Sequence, residues 1–433
     1  MTIKKFNIII PASSELSTQL DNLLNVIEET FPLERKYSRY LTRNIADLSA
    51  LLTTDRSLRK GDYINSDAMM NAYLRYFLPW NVYRLCRLNL AELLNFTKLE
   101  YDQQLTINFI DIGSGPLTMI FAFYFAMPHL HDTQINFYCV DKNTKPMEAG
   151  KKLFYKLQEQ THKKTKWHIT VIKASFGNKL TYMLKTAKTK LNVPKADIVS
   201  AVNVCNEIFW NINQADISTL DIAAKRDAQY LSSLTKENGK ILVVEPGVPR
   251  CASFLSLLRT NFLQNNIEIT APCTHIEQCP QHGGRRGAKW CHFAFSTDGA
   301  PQKLLALSAE ASLTKERAAL SFLLAAKSST KFGCKQEKPV TIKIPAAGTR
   351  LESCTPARIT VRITSDIIKL NNGASGRYGC CKLGLVLVCD GSTRVPQQQH
   401  KVISLQIGSL IDVLVPQVLE KDRKSGAVIV GHL

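Results

Sequence analysis

The feature that most constrains the fold is the alternation of short apolar runs with helical segments between residues 107 and 244. Apolar strands separated by helices are typical of a parallel sheet with crossover helices on both faces. The sequence therefore predicts an α/β domain with a doubly wound parallel sheet. The predicted strands are 107–112, 135–140, 169–172, 197–202 and 240–244.

The segments on either side of this pattern predict three regions: a helical N-terminal region (1–100), the α/β domain (101–300), and a helix followed by a small β-rich domain (301–433). Apolar residues at helical spacing indicate N-terminal helices over 13–30, 67–78 and 81–96, with Pro79 ending the second. The same reasoning predicts a helix over 303–326. Predicted C-terminal strands are 341–344, 357–364, 383–388 and 402–407, with a turn at Asn371-Asn372-Gly373.

A glycine-rich turn follows the first predicted strand. Gly113 and Gly115 would let backbone approach a ligand that side chains would block. A dinucleotide-binding loop would normally have a third glycine three positions after the second, where this chain has Thr118. An acid before the turn, Asp111, followed by only two glycines fits S-adenosylmethionine (SAM) better than a dinucleotide. Asp141, at the end of the second strand, could accept hydrogen bonds from the ribose hydroxyls of the cofactor.

Asn206 and Glu207 follow the fourth strand. An acceptor of a methyl group would lie near them, because ligands of open α/β sheets bind at the carboxyl ends of the strands. The Asn/Asp-Pro-Pro-aromatic run of enzymes that methylate base nitrogens is not present. We therefore interpret Asn206 and Glu207 as a helix cap, and the sequence indicates no catalytic residue.

Three cysteines lie in a loop over residues 272–293 that has little regular pattern: Cys273, Cys279 and Cys291. A loop without regular structure needs an interaction that orders it, and a bound metal could provide that interaction. Irregular spacing without Cys-x-x-Cys pairs fits an iron-sulfur cluster, whereas the loop's histidines also allow zinc. A fourth ligand would come from the β-rich tail, which offers three further cysteines: Cys380, Cys381 and Cys389.

The chain carries 55 Lys and Arg against 36 Asp and Glu, a net charge of +19, which favours a polyanionic partner such as RNA. Nine lysines lie between residues 142 and 173, and a second basic stretch follows His282. The sequence has no apolar run of membrane-spanning length and no secretory signal, so we expect a cytoplasmic protein without membrane contact. Its cysteines are then expected to be thiols or metal ligands, with no disulfide-linked partner.

Several motifs together resemble the methyltransferase-like proteins of the mitochondrial small ribosomal subunit and their bacterial relatives, over about residues 67–391. The motifs are Asp-Ile-Gly-Ser-Gly-Pro (111–116), Asn-Glu (206–207), Val-Glu-Pro-Gly-Val-Pro (244–249), Pro-Cys-x5-Cys-Pro (272–280) and Trp-Cys-His-Phe (290–293). The resemblance implies a class I methyltransferase-like (Rossmann-like) fold and association with the small ribosomal subunit and its RNA.

The resemblance also implies a four-iron, four-sulfur cluster. Its ligands would be Cys273, Cys279 and Cys291, with Cys389 best matching the family's fourth cysteine. The sequence thus predicts an RNA-binding factor that acts on the small ribosomal subunit and binds SAM and the cluster. One alternative is a free-standing SAM-dependent methyltransferase of tRNA, protein or a small molecule with structural zinc; another is a binding module that has lost the cofactor.

Overall fold

The computed structural model describes most of the chain: residues 6–55, 64, 66–94, 106–177, 193–213, 216–284, 289–328, 358–370, 374–389, 401–416 and 418–432. The strand predicted over 341–344, the turn at 371–373 and the arginines at 285–286 lie outside these residues. No helix in the described part of the chain is long and apolar enough to cross a membrane.

The N-terminal region is helical, as predicted. Its helices are α1 (Ser14–Thr30), α2 (Arg35–Ser38), α3 (Leu41–Leu52), α4 (Asp67–Ala72), α5 (Leu78–Cys86) and α6 (Leu90–Leu94). Ser13 caps α1 by accepting a hydrogen bond from the Leu16 N–H at 3.1 Å. Pro79 does not end a helix: a π-helical turn, Tyr73–Phe77, connects α4 to α5, and Pro79 lies in the first turn of α5.

The next region forms an eight-stranded sheet in the order β3-β2-β1-β4-β5-β8-β6, with β7 also paired to β8. The strands are β1 (Ile107–Ile112), β2 (Ile135–Asp141), β3 (Trp167–Lys173), β4 (Ala196–Val202), β5 (Thr235–Pro246), β6 (Ile267–Ala271), β7 (Phe293–Ser296) and β8 (Arg317–Lys327). The first five are parallel, and β8 runs antiparallel to β5. The predicted parallel sheet is therefore confirmed.

Helices cover both faces of this sheet. They are α7 (Thr118–Ala126), α8 (Thr144–Thr161), α9 (Cys205–Phe209), α10 (Ile217–Leu234), α11 (Pro249–Gln264) and α12 (Gln302–Glu310). One face packs with α7, α8 and the N-terminal helices in a single hydrophobic core, and the other packs with α10 and α11. The N-terminal helices are thus part of the same packed body as the sheet.

The prediction of one helix over 303–326 is wrong in its second half. Helix α12 ends at Glu310, and β8 occupies residues 317–327. Leu and Ala favour helices in isolation, but residues 320–325 of β8 are all buried, so the run lacks the alternation that marks a half-exposed strand. Pairing with β5 and β6 decides its conformation.

The C-terminal residues form a second, six-stranded sheet in the order β10-β11-β12-β14-β13-β9. Its elements are β9 (Arg358–Ile363), β10 (Ile368–Lys369), β11 (Ser375–Cys381), β12 (Gly384–Cys389), α13 (Lys401–Ser404), β13 (Leu410–Leu414) and β14 (Val428–His432). Because β9 pairs with both β13 and β11, five of these strands form a closed ring. The strand predicted over 402–407 is wrong: a short helix begins there, and its backbone carbonyls accept hydrogen bonds from Arg377.

Candidate functional site: a cavity at the strand ends and a group of four thiols

A cavity of about 250 Å³ opens at the carboxyl ends of the parallel strands β1, β2 and β4. Its lining includes Gly113, Gly115 and Asp141, three of the residues predicted to bind SAM. The parallel register places these groups together because all three strands end at the same edge of the sheet.

The two glycines of the loop have different roles. Gly113 has φ +69°, and a Cβ there would lie 2.6 Å from the Cβ of Val204, so packing inside the protein requires glycine. Gly115 has φ +49°, and a Cβ there would meet no atom within 4 Å. The open space at the cavity is therefore next to Gly115.

Backbone N–H groups hold the Asp141 carboxylate at the cavity. One oxygen accepts from Gly115 at 3.0 Å and the other from Asn143 at 3.1 Å. Burial raises the pKa of Asp141, and these two N–H donors counteract part of that shift. Each oxygen keeps a second lone pair with which to accept a ligand hydroxyl.

Asp111 lies beneath the cavity rather than in its lining. It is 1% exposed, one oxygen accepts from the Ser200 hydroxyl at 2.5 Å, and the other has no hydrogen-bond partner in the described structure. Burial raises its pKa to about 7. The carboxyl predicted to hold the amino-acid end of the cofactor thus has one buried oxygen left to accept a donor.

Sequence reasoning missed two contributors to this region. Tyr73, from the π-helical turn, lines the cavity opposite Glu207, and no local motif connects these distant residues. The buried Glu245 accepts hydrogen bonds from the backbone N–H groups of Cys205 and Asn206 and from the Asn206 side chain. The interpretation of Asn206 and Glu207 as the helix cap is therefore wrong: the N-cap of α9 is Val204, and Glu245 accepts from the N–H groups of its first turn.

The loop over 272–293 lies against the C-terminal sheet. Arg362 of β9 donates to the Pro272 carbonyl at 3.2 Å, and Gln281 donates to the Thr364 hydroxyl at 2.9 Å. His275 contacts the Cys380 sulfur at 3.1 Å. The loop thus connects the first sheet to the C-terminal sheet.

Four thiols come together at this junction: Cys273, Cys279, Cys291 and Cys380. Burial raises the pKa of Cys380 well above its ordinary value, and the other three thiols raise it further. The pKa of Cys291 is raised in the same way by burial, Cys279 and Cys273. Among the residues the structure describes, no group of three or more His, Cys, Asp or Glu side chains has the arrangement that holds a metal ion.

The other two cysteines of the tail lie elsewhere. Cys381 alternates to the opposite face of β11 and packs in the core of the closed ring. On β12, Leu385 lies opposite Cys380, whereas Cys389 lies four residues farther along and opposite Gly376. At strand spacing this places Cys389 about 13 Å from the position of Cys380. The structure therefore brings Cys380, and not Cys389, to the three loop cysteines.

We expect the buried Asp111 to make stability depend on pH. Its folded-state pKa of about 7 lies above the ordinary 3.8, so its contribution to stability is complete below pH 4 and is lost as pH rises towards 7. The free energy of unfolding of the wild type, relative to Asp111→Asn, should fall by at most about 1.4 kcal/mol per pH unit over that range. Urea unfolding between pH 5 and 8 measures this, with the exposed Asp132→Asn as control. Parallel curves for all three proteins would contradict it.

The model of the family described as mitochondrial small ribosomal subunit Rsm22 matches residues 72–342. Similar solved structures include a class I SAM-dependent methyltransferase from Listeria monocytogenes, with 12% identity, 73% of this chain and 88% of that chain covered, and a TM-score of 0.32. The structure of loganic acid methyltransferase with SAH has 10% sequence identity and a TM-score of 0.34. The match covers 63% of this chain and 99% of that chain. No curated protein sequence matches the chain.

The predicted α/β fold, with a parallel sheet, an N-terminal helical region and a β-rich C-terminal region, is confirmed. The family's name refers to mitochondria, so the cytoplasmic location predicted from the sequence is not confirmed. The family model covers well over half of the chain, including the glycine loop and the cysteine loop. The chain therefore belongs to the Rsm22 family.

Proposed function

We propose that the protein is an RNA-binding factor of the small ribosomal subunit that holds SAM in its methyltransferase-like domain and an iron-sulfur cluster between its two sheets. Membership of the Rsm22 family carries this proposal, because the family is named for that ribosomal subunit. Three features of the chain support its parts: the cavity beside Gly115, the group of four thiols, and a lysine-rich face.

The cavity supports SAM binding because its polar groups suit that cofactor. Asp141 is fixed by two backbone donors and has lone pairs free for the ribose hydroxyls. Gly115 leaves a space that any side chain would fill. The unpartnered oxygen of Asp111, behind the loop, provides an acceptor for the cofactor's amino-acid end, reached directly or through water.

Replacing Asp141 should weaken SAM binding. Asp141→Asn removes the charge that strengthens hydrogen bonds to the ribose, worth about 1.5–3 kcal/mol, so we expect affinity to fall roughly tenfold or more. Calorimetry with SAM measures the change, with the exposed Asp132→Asn as the matched control. Unchanged affinity in Asp141→Asn would place the cofactor elsewhere, and no heat with the wild type would favour a module without cofactor.

The donor set of the thiol group suits an iron-sulfur cluster. All four groups are cysteines, and such clusters are commonly bound by four cysteine thiolates. His275, from the same loop as three of them, contacts the Cys380 sulfur at 3.1 Å, so Cys380 lies beside that loop. We propose Cys273, Cys279, Cys291 and Cys380 as the ligands; bound there, the cluster would tie the loop to β11.

Iron content should distinguish Cys380 from Cys389. We expect anaerobically purified wild type to be brown and to contain iron and sulfide, and Cys380→Ser to lose most of both because one ligand is missing. Cys389→Ser is the matched control and should keep the wild-type iron content and visible absorbance. Loss of iron only in Cys389→Ser would reverse the assignment. A colourless wild type with one zinc would favour the free-standing methyltransferase with a zinc site.

A lysine-rich face on α8 and the segment after it supports RNA binding. Phe154 and Leu157 are buried, whereas Lys152, Lys163 and Lys164 are exposed. Several exposed cations on one side of a chain with net charge +19 suit a phosphate backbone.

Association with small-subunit particles should depend steeply on salt, because cations that bind phosphates release counterions. We expect Lys163→Ala with Lys164→Ala to weaken co-sedimentation and to reduce the slope of log affinity against log salt by roughly one for each lost phosphate contact. Lys195→Ala with Lys225→Ala removes the same charge elsewhere and should have a smaller effect. Absence of the wild type from these particles at low salt would contradict the proposal.

A further inference from the structure

Two buried arginines lie on either side of the thiol group. Arg259 lies on α11, which packs against the first sheet, and Arg362 lies on β9 of the second sheet. Each residue is only 3% exposed. A buried guanidinium is costly unless an opposite charge compensates it. The described structure gives neither arginine a carboxylate within ion-pair distance, so the compensating charge must have another source.

Arg259 points at the thiols. Its Nε donates to the Cys273 sulfur at 3.2 Å, and its Nη2 donates to the His275 carbonyl at 2.6 Å. The side chain is thus held in position by the backbone of the cysteine loop and directed at one of the proposed ligands.

Arg362 lies across the same thiols. It donates to three backbone carbonyls, those of Phe6, Pro272 and Gly408, and it lies directly opposite Cys380 in the pairing of β9 with β11. Carbonyls accept these hydrogen bonds but do not neutralise the charge. In this arrangement, two fixed positive charges face four groups that become negative when they ionise.

We infer that Arg259 and Arg362 are the counter-charges of the proposed cluster, and that the Arg259 N–H bond to Cys273 raises the cluster's reduction potential. The inference rests on the proposed cluster. An oxidised four-iron, four-sulfur core bound by four thiolates carries two negative charges in total, which the two guanidiniums balance. Reduction adds a further negative charge, which nearby cations and N–H···S bonds stabilise.

Arg259→Gln tests this in the full-length protein purified without oxygen. We expect its midpoint potential, measured by redox titration of the visible and EPR signals, to shift to a more negative value than that of the wild type. Arg259→Lys, which restores the charge, should shift less. Arg43→Gln removes an exposed arginine on α3 and should leave the potential unchanged.

The outcomes separate this inference from the proposed function. A wild type without iron and sulfide would refute the cluster itself. A wild type with the cluster, and with the same midpoint potential in Arg259→Gln, would overturn the role of Arg259 and leave the cluster in place. If Arg259→Gln retains no cluster, Arg259→Lys decides: recovered iron supports the counter-charge, and a folded lysine variant without iron overturns it.

Discussion

The parallel pairing of β1 with both β2 and β4 fixes where the candidate ligand-binding groups lie. This register brings the residues after Ile112, Val140 and Val202 to one edge of the sheet, although they come from segments about 30 to 90 residues apart in sequence. The cavity forms where the chain leaves the sheet, and buried apolar layers on both faces hold the strands in place. Polar chemistry is therefore confined to the strand ends.

This constraint explains why the sequence could predict the cavity. A glycine turn after an apolar strand and an acid after the next are local signals, and a parallel sheet brings them together without further information. Tyr73 had no such signal, because its position depends on packing between distant segments. Glu245 lies in the Val-Glu-Pro-Gly-Val-Pro motif, but the motif did not indicate that it would bind the start of α9. Asp111 was predicted to contact the ligand, but it is buried beneath the cavity, where its carboxyl group accepts a hydrogen bond from Ser200.

Errors in the predicted elements also have physical causes. In β8, apolar residues on both faces remove the two-residue alternation, and sequence alone cannot supply the partner strands that favour extended backbone. The choice between Cys380, Cys381 and Cys389 similarly depends on strand register, since neighbouring residues point to opposite faces and residues four apart lie about 13 Å from each other. Alternation along a strand shows which residues share a face, but the pairing register is needed to tell which residues of the next strand they meet.

The contacts of Arg362 have a consequence for biosynthesis. Its guanidinium binds the carbonyls of Phe6 and Gly408, and the Ile8 N–H also donates to Gly408 at 3.4 Å. Phe6 and Ile8 therefore reach these partners only once residues 362 and 408 have been synthesised. The bonds of Ile8, Ile9 and Ile10 to residues 87–89 can form much earlier, so the helical region can hold this segment in place before the C-terminal sheet is complete.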